Sequence, residues 1–407
     1  MSWQPRKTTL TRYGGWLPDN PAIHKSFVQH LAQRSATACK TRATHTEPVE
    51  KFQAAINADP EMVDLWNQIF LQASPKNKIT SFDQLLYHID AIIVAPPKFY
   101  IARDDEGNVI QGEPIGVPLY LVFDLIGNTG AGYDLFRKQA FNVAMKDLLD
   151  AWGIYLMSSD SNKTLTDEGE GWFSPMAMQS LEANGRGEFN ATYVCPDTDA
   201  INRGFTSWDH FFTREIQPQI RPVLFPENKT LIRSACESTV YRIQTNVKDH
   251  DRFWLKGQPY SVYDMLNHDD ISQSFVGGTV YQAFLSPQDY HRWRSPIDGT
   301  ITRADIIPGT YYAALPDAGA EVGESNLKPG GPHGAVARSQ AWLTVSATRA
   351  IIYIQSDNPV VGLVAFTAVG MGEVSTCAFS VEVGQKASTC SYLWSPSRYY
   401  ICGSRQS

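Results

Sequence analysis

The feature that most limits what this chain can become is a change of hydrophobic period near residue 196. Before it, apolar residues recur three and four positions apart: Phe52, Ala55 and Ile56, then Met62, Leu65, Trp66, Ile69 and Phe70. That spacing lines one face of a helix. SFDQLLYHIDAII places Ser81 as an N-cap ahead of an amphipathic run. YDLFRKQAFNVAMKDLLDAWGIYL (133–156) predicts one long helix, with Phe136, Phe141, Met145, Leu148 and Leu149 on one face and Gly153 where it can end. After residue 196 short β-rich runs such as TVYRIQTNV, GTVYQAFLS, TRAIIYIQSD and VVGLVAFTAVG alternate with Gly, Pro and Asn. One helical piece, YSVYDMLN, lies among them, and the Gly/Pro-rich stretch 318–338 reads as a mobile loop.

The expectation is an α+β protein: a helical N-terminal accessory domain over 1–195, then a β-rich body over 196–385. After Gln385 the texture changes again. KASTCSYLWSPSRYYICGSRQS has six serines and no acidic residue. It shows neither alternation nor helical spacing, so 386–407 is expected to be an aberrant tail that does not continue the sheet.

With 43% hydrophobic residues in 407, there is ample material for a core. The net charge of −7 argues against a nucleic-acid partner, which needs a basic face, and leaves peripheral contact with a membrane open. The six cysteines are scattered without a CxxC pair, so neither a zinc cage nor a disulfide framework is expected, and a reducing compartment is the default. LYLVFDLIG (119–127) and AIIVAPP (91–97) are too short to span a bilayer. Cytoplasmic placement is the reading; MSWQPRKTTLTRYGGW, basic and free of acids, keeps a mitochondrial transit peptide as the alternative. GNTGAG (127–132) lacks the GxGxxG spacing and a P-loop lysine, and reads as a flexible turn before the long helix. No metal is implied, because Asp298, Asp305 and His291 are not at ligand spacings.

Five segments carry a more specific signal: GFTSWDHFFTREIQPQIRPV (204–223), LIRSACESTVYRI (231–243), FWLKGQPYSVYDML (253–266), FVGGTVYQAFLSPQDYHRWRSPIDGTITRADIIPGTYY (275–312) and AVGMGEVSTCAFSVEVGQ (368–385). The order FF-x-R, K-G-x-x-Y-S, L-S-P-x-D-Y-H-R, S-P-x-D-G resembles the phosphatidylserine decarboxylases, over roughly residues 200–385. The region from GGWLP through WGIYL resembles the helical extension of the fungal branch, which includes a tryptophan decarboxylase. The resemblance implies a phosphatidylserine-decarboxylase-like body and a self-derived pyruvoyl cofactor. In the family a serine hydroxyl attacks the carbonyl of the preceding glycine, the ester eliminates, and the resulting ketone takes the substrate amine as a Schiff base and accepts the electrons as carbon dioxide leaves.

The same resemblance assigns His291 of DYHR to substrate positioning or protonation of the carbanion. The bland alternative is a structural histidine bonded at a strand end. The family's second histidine, which activates the serine, falls on Arg294. An arginine stays protonated and cannot be that base; it can hold a carboxylate or oxyanion, or simply pair with a carboxylate or stack on Trp293 or a neighbouring ring. The family's acidic partner falls on Glu237 in SACES. Cys236 reads as an ordinary buried thiol. Arg214 and Arg221 are expected to pair with carboxylates that join the two domains.

The family's Gly-Ser-Thr motif is not recognisable after VEVGQ. Gly403-Ser404 is the sole Gly-Ser pair of the tail and stands at the wrong distance, so the body is expected to be truncated at its C-terminus and the pyruvoyl group absent from this chain. The implied function is a carboxy-lyase for phosphatidylserine or an aromatic amino acid such as tryptophan, inactive as written. The alternative is a pseudoenzyme that binds an amino acid, a headgroup or an active relative. Missing strands would leave unpaired edges and favour self-association into a homo-oligomer.

Overall fold

The computed structural model describes residues 16–41, 44–104, 106–183, 185–250, 260–320 and 328–394. Its first half is helical: α1 (Pro21–Thr41), α2 (Glu47–Asn57), α3 (Pro60–Gln72), α4 (Phe82–Ile93), α5 (Pro118–Gly127), α6 (Gly130–Leu135), α7 (Gln139–Met157) and α8 (Pro175–Glu182). Ser81 caps α4 as expected, its Oγ accepting the Gln84 N–H at 3.1 Å. Two features differ from the sequence expectation. An antiparallel hairpin, β1 (Lys98–Arg103) with β2 (Val109–Ile115), interrupts the helices. The long helix begins late: α6 stops at Leu135, Phe136–Lys138 break the run, and α7 continues past Gly153 to Met157. Burial of Leu148, Leu149, Trp152 and Leu156 on one face outweighs the roughly 1 kcal/mol that a mid-helix glycine costs. GNTGAG is the turn that starts α6, with Thr129 Oγ1 accepting the Gly132 N–H at 2.8 Å.

The second half is β-rich. Strands β6 (Gly299–Ile307), β7 (Arg349–Ser356), β8 (Leu363–Val369) and β9 (Lys386–Ala387) make an antiparallel sheet in the order β8-β7-β6-β9. Two two-stranded ladders accompany it, β3 (Thr239–Thr245) with β4 (Thr279–Phe284), and β5 (Trp293–Arg294) with β10 (Tyr392–Trp394). Because side chains alternate along a strand, β7 feeds two apolar clusters: Ile352 and Ile354 pack with Ile297, Ile301 and Leu393, while Ile351 and Tyr353 pack with Val247, Val262 and Leu266. YSVYDMLN supplies one helical turn, Val262–Met265.

The largest core ignores the change of period. Phe27, Phe52, Trp66, Phe123, Phe141 and Trp152 share one continuous cluster with Tyr312, Leu343 and Met371. All ten residues of α5 are buried, which is why LYLVFDLIG reads as an unbroken apolar run. Two buried carboxylates bind the halves together. Glu373, on the turn after β8, accepts the N–H of Leu119 at 2.9 Å, the N–H of Tyr120 at 3.0 Å and the hydroxyl of Tyr312 at 3.0 Å. It thereby caps α5, whose own N-cap residue, Val117, offers no side-chain acceptor. Asp124 of α5 accepts His333 Nδ1–H at 2.8 Å and the Gly334 N–H at 2.7 Å. The loop expected to be mobile is therefore tied down over 328–338, where Arg338 also grips Asp317 at 2.8 Å.

The expected break after Gln385 is corrected for the next nine residues. β9 pairs with β6, β10 pairs with β5, and Leu393 is fully buried. Strands of two and three residues are too short to show a period, so only their pairing reveals them. Residues 395–407, with Gly403 and Ser404, lie outside the described residues. No helix among the described residues is long and apolar enough to cross a membrane.

Candidate active site

The L-S-P-x-D-Y-H-R segment folds into a turn that its own residues close. Pro287 fits the second position of a turn in which Asp289 N–H donates to Ser286 O at 3.0 Å. Asp289 Oδ2 accepts the Ser286 N–H at 2.7 Å, and its Oδ1 accepts Arg186 Nη2–H at 2.8 Å. The chain then enters β5. Arg294 N–H donates to Ala235 O at 2.8 Å, which brings SACES alongside, and Ser295 N–H donates to Ser391 O at 2.9 Å. S-P-x-D-G closes the next corner. Asp298 accepts Lys229 Nζ–H at 2.6 Å and the Thr389 N–H at 2.8 Å. Gly299 is required there because a Cβ would stand 2.3 Å from the Gln355 carbonyl oxygen of β7.

Of the three expected site residues, the structure brings Glu237 and Arg294 together through a third residue. Glu237 pairs with Arg221. The Arg221 carbonyl accepts Arg294 Nη1–H at 2.9 Å, and Arg221 Nη2–H donates to Arg186 O at 3.2 Å. Arg294 donates its Nη2–H to Tyr392 Oη at 3.3 Å and stacks over that ring at 5.2 Å; the ring it uses is Tyr392, not Trp293. Tyr392 Oη in turn lies 3.1 Å from Tyr290 Oη, whose ionisation burial pushes upward. Trp293, one residue earlier, lines a small apolar recess with Phe366, Phe379 and Cys377.

His291 is held apart from this network. It is 5% exposed, stacks on Phe212 at 4.4 Å, and donates Nε2–H to Ser286 O at 3.1 Å. Burial lowers its pKa to about 4. Arg221 has a carboxylate, Glu237, but one inside the β-rich body and not one joining the two domains; Arg214 has none among the described residues. Arg214 is buried over the Tyr193 ring at 4.2 Å and donates to the carbonyls of Phe211 and Gln288 at 3.2 and 3.3 Å. Cys236 is partly buried and not the enclosed thiol expected; desolvation pushes it up to about 12.

The His291 shift has a direct consequence for stability. The folded chain refuses a proton that the unfolded imidazole accepts below about 6.5, so stability is present above that pH and is lost as pH falls toward about 4. In urea titrations, wild type is expected to lose about 3 kcal/mol more than His291→Gln across this window. Equal losses would show that solvent reaches the ring.

Sequence reasoning missed Tyr392, Arg186 and Asp289. Asp289 stands inside the quoted motif. Tyr392 sits in a segment set aside as tail, and Arg186 has no local signal because its partner is 103 residues away. A shallow recess beside α1 and β1, lined by Phe27, Leu31, Arg34, Lys98 and Tyr100, holds none of the expected site residues.

Comparison with known proteins matches two phosphatidylserine decarboxylase family models, over residues 46–181 and 208–389. The decarboxylase iboD of Amanita muscaria is 58% identical over 306 residues, 75% of this chain and 87% of its own. The L-tryptophan decarboxylase of Psilocybe cubensis is 32% identical over 387 residues, 91% of this chain and 82% of its own. Phosphatidylserine decarboxylase proenzyme 3 of Schizosaccharomyces pombe is 29% identical over 182 residues, 45% of this chain and 17% of its own.

Proposed function

Because the chain belongs to the phosphatidylserine decarboxylase family, in its fungal branch, we propose that its site is shaped for a free amino acid and that this polypeptide stays uncleaved. The extent of similarity supports the substrate class: the likeness to a tryptophan decarboxylase runs through the helical half, whereas the likeness to the phosphatidylserine enzyme covers 45% of the chain. An aromatic amino acid such as tryptophan is the first candidate, and a phosphatidylserine headgroup the second.

The observation that carries the second part is Arg294. By resemblance it falls where the family keeps a base, and a guanidinium cannot take a proton from a serine. The family's group is a ketone made from a chain serine, and it supplies an electron sink for carbon dioxide loss. The described residues do not fit its formation. Ser388 and Ser391 follow Ala387 and Cys390 rather than glycine, and they are engaged with each other, Ser388 N–H donating to Ser391 Oγ at 3.0 Å.

The test is intact mass and a denaturing gel of the purified chain, with release of labelled carbon dioxide from tryptophan and from phosphatidylserine. A single unprocessed mass with no release is expected. Two fragments, one with a blocked keto-bearing terminus, would overturn the proposal. A pseudoenzyme reading is favoured by the same arginine, and ligand held without turnover is its signature.

A further inference from the structure

Three elements far apart in sequence meet at two imidazoles and one carboxylate. His24 lies in the first turn of α1, and its ring meets the His333 ring edge-on, with centroids 5.0 Å apart. Beside them stands Asp124 of α5. Both its oxygens are engaged with the loop, Oδ2 accepting His333 Nδ1–H at 2.8 Å and Oδ1 the Gly334 N–H at 2.7 Å. His24 itself has neither hydrogen bond nor ion pair among the described residues, so its ring docks by shape. The charges that act on it are His333 from the loop and Asp124 from α5. Burial and His333 outweigh Asp124 and lower its pKa from 6.5 to about 4. Arg338, whose Nη1–H holds the His333 carbonyl at 2.6 Å, is matched by Asp317. Lys25, next on α1, is exposed. No charge on α4, β1 or β2, which also pack on α1, acts on the ring among the described residues.

We infer that His24, His333 and Asp124 form an acid-opened latch between the first turn of α1 and the loop 328–338. A neutral His24 ring fits its place. A protonated one sets a second positive charge against His333 and finds no carboxylate oxygen left to take it, because Asp124 is committed to the loop. Relief comes by separation. The first turn of α1 lifts and carries the imidazolium into water, while the loop stays on α5 through Asp124 and through Arg338 with Asp317. The docked ring refuses a proton that the freed ring accepts, so the latch holds above about 6.5 and is lost as pH falls toward about 4. Glu113 of β2 holds the N–H groups of Asp19 and Asn20 at 2.7 and 3.1 Å, just before this turn. Burial raises its pKa to about 7, so that grip tightens as pH falls and opposes the opening. The latch spans the seam between the halves, and acid loosens their contact there before either half unfolds.

Hydrogen exchange of the full chain, read by mass spectrometry with exchange times scaled for the intrinsic rate at each pH, tests it. Between pH 7 and pH 5 the protection of residues 21–27 is expected to fall about twentyfold, the gap between a ring that titrates near 4 when docked and near 6.5 when free. Helix α7 serves as the internal reference, because the acid effect of His291 acts on the whole fold and reaches α7 as well. In His24→Gln, which cannot take the proton, the fall at residues 21–27 is expected to stay within about twofold. In His24→Lys, which carries a fixed charge, protection there is expected to be low already at pH 7 and to change little with pH. Loss of protection at residues 21–27 in step with α7 overturns the latch, as does an equal fall in wild type and His24→Gln. If neither variant folds, the wild-type profile decides: loss at residues 21–27 with α7 unchanged supports the latch, and simultaneous loss overturns it.

Discussion

Replacing Glu373 by alanine is expected to cost on the order of 4 kcal/mol of folding stability. The carboxylate is fully buried and accepts two backbone N–H groups of α5 and the Tyr312 hydroxyl. Truncation leaves all three donors without an acceptor in a dry interior. Each such donor costs about 1–3 kcal/mol, partly recovered by relaxation. Chemical denaturation measures the loss, and one below about 1 kcal/mol would show that another acceptor replaces the carboxylate. The glutamine variant separates hydrogen bonding from charge. Burial raises the Glu373 pKa to about 7 against 4.5 in its ordinary state. The folded form therefore holds its proton more tightly than the unfolded chain does. Its extra stability is complete below about 4.5 and is lost as pH rises through about 7, a swing of about 3 kcal/mol. Wild type is expected to lose this amount relative to Glu373→Gln between those limits. The His291 effect runs in the opposite direction, so paired variants at matched pH are the proper comparison.

The second large effect is expected at Asp124. Its carboxylate is 1% exposed and holds His333 and the Gly334 N–H. Asp124→Ala takes the acceptor from the His333 ring N–H and the Gly334 N–H, a loss of about 1–3 kcal/mol for each donor left unsatisfied. The loss is local before it is global. Residues 328–338 are expected to become cleavable by protease under conditions where wild type is intact, since the anchor joining them to α5 is gone. Arg338 with Asp317 remains as a second tether, so Asp124→Ala combined with Asp317→Ala should release the loop more than either alone. Unchanged cleavage in the single variant would show that the Asp317 tether suffices.

Much of the frame was legible because it is local. Helix α4 announced itself by Ser81 and its apolar spacing, and Pro287 and Asp289 marked the turn that delivers His291 and Arg294. Glu237 and Arg294 were singled out from sequence, and they do belong to one network. What joins them, the side chain and carbonyl of Arg221, was not legible as a link. The pairing expected for Arg214 failed because its guanidinium is enclosed by aromatic rings, and no residue near it in sequence forecasts that enclosure.

The sequence by itself determined the class of element in each region, the turns of its motifs and the residue types available at the site, because period, caps and turn chemistry act over a few positions. Only the tertiary structure decided that the helical and β-rich halves share one core, that Glu373 caps a helix 254 residues earlier, and that Tyr392 rather than Trp293 holds Arg294. Those contacts arise when distant segments compete to bury the same apolar surface and to satisfy the same buried polar groups. That competition has no signature in any short stretch of the chain.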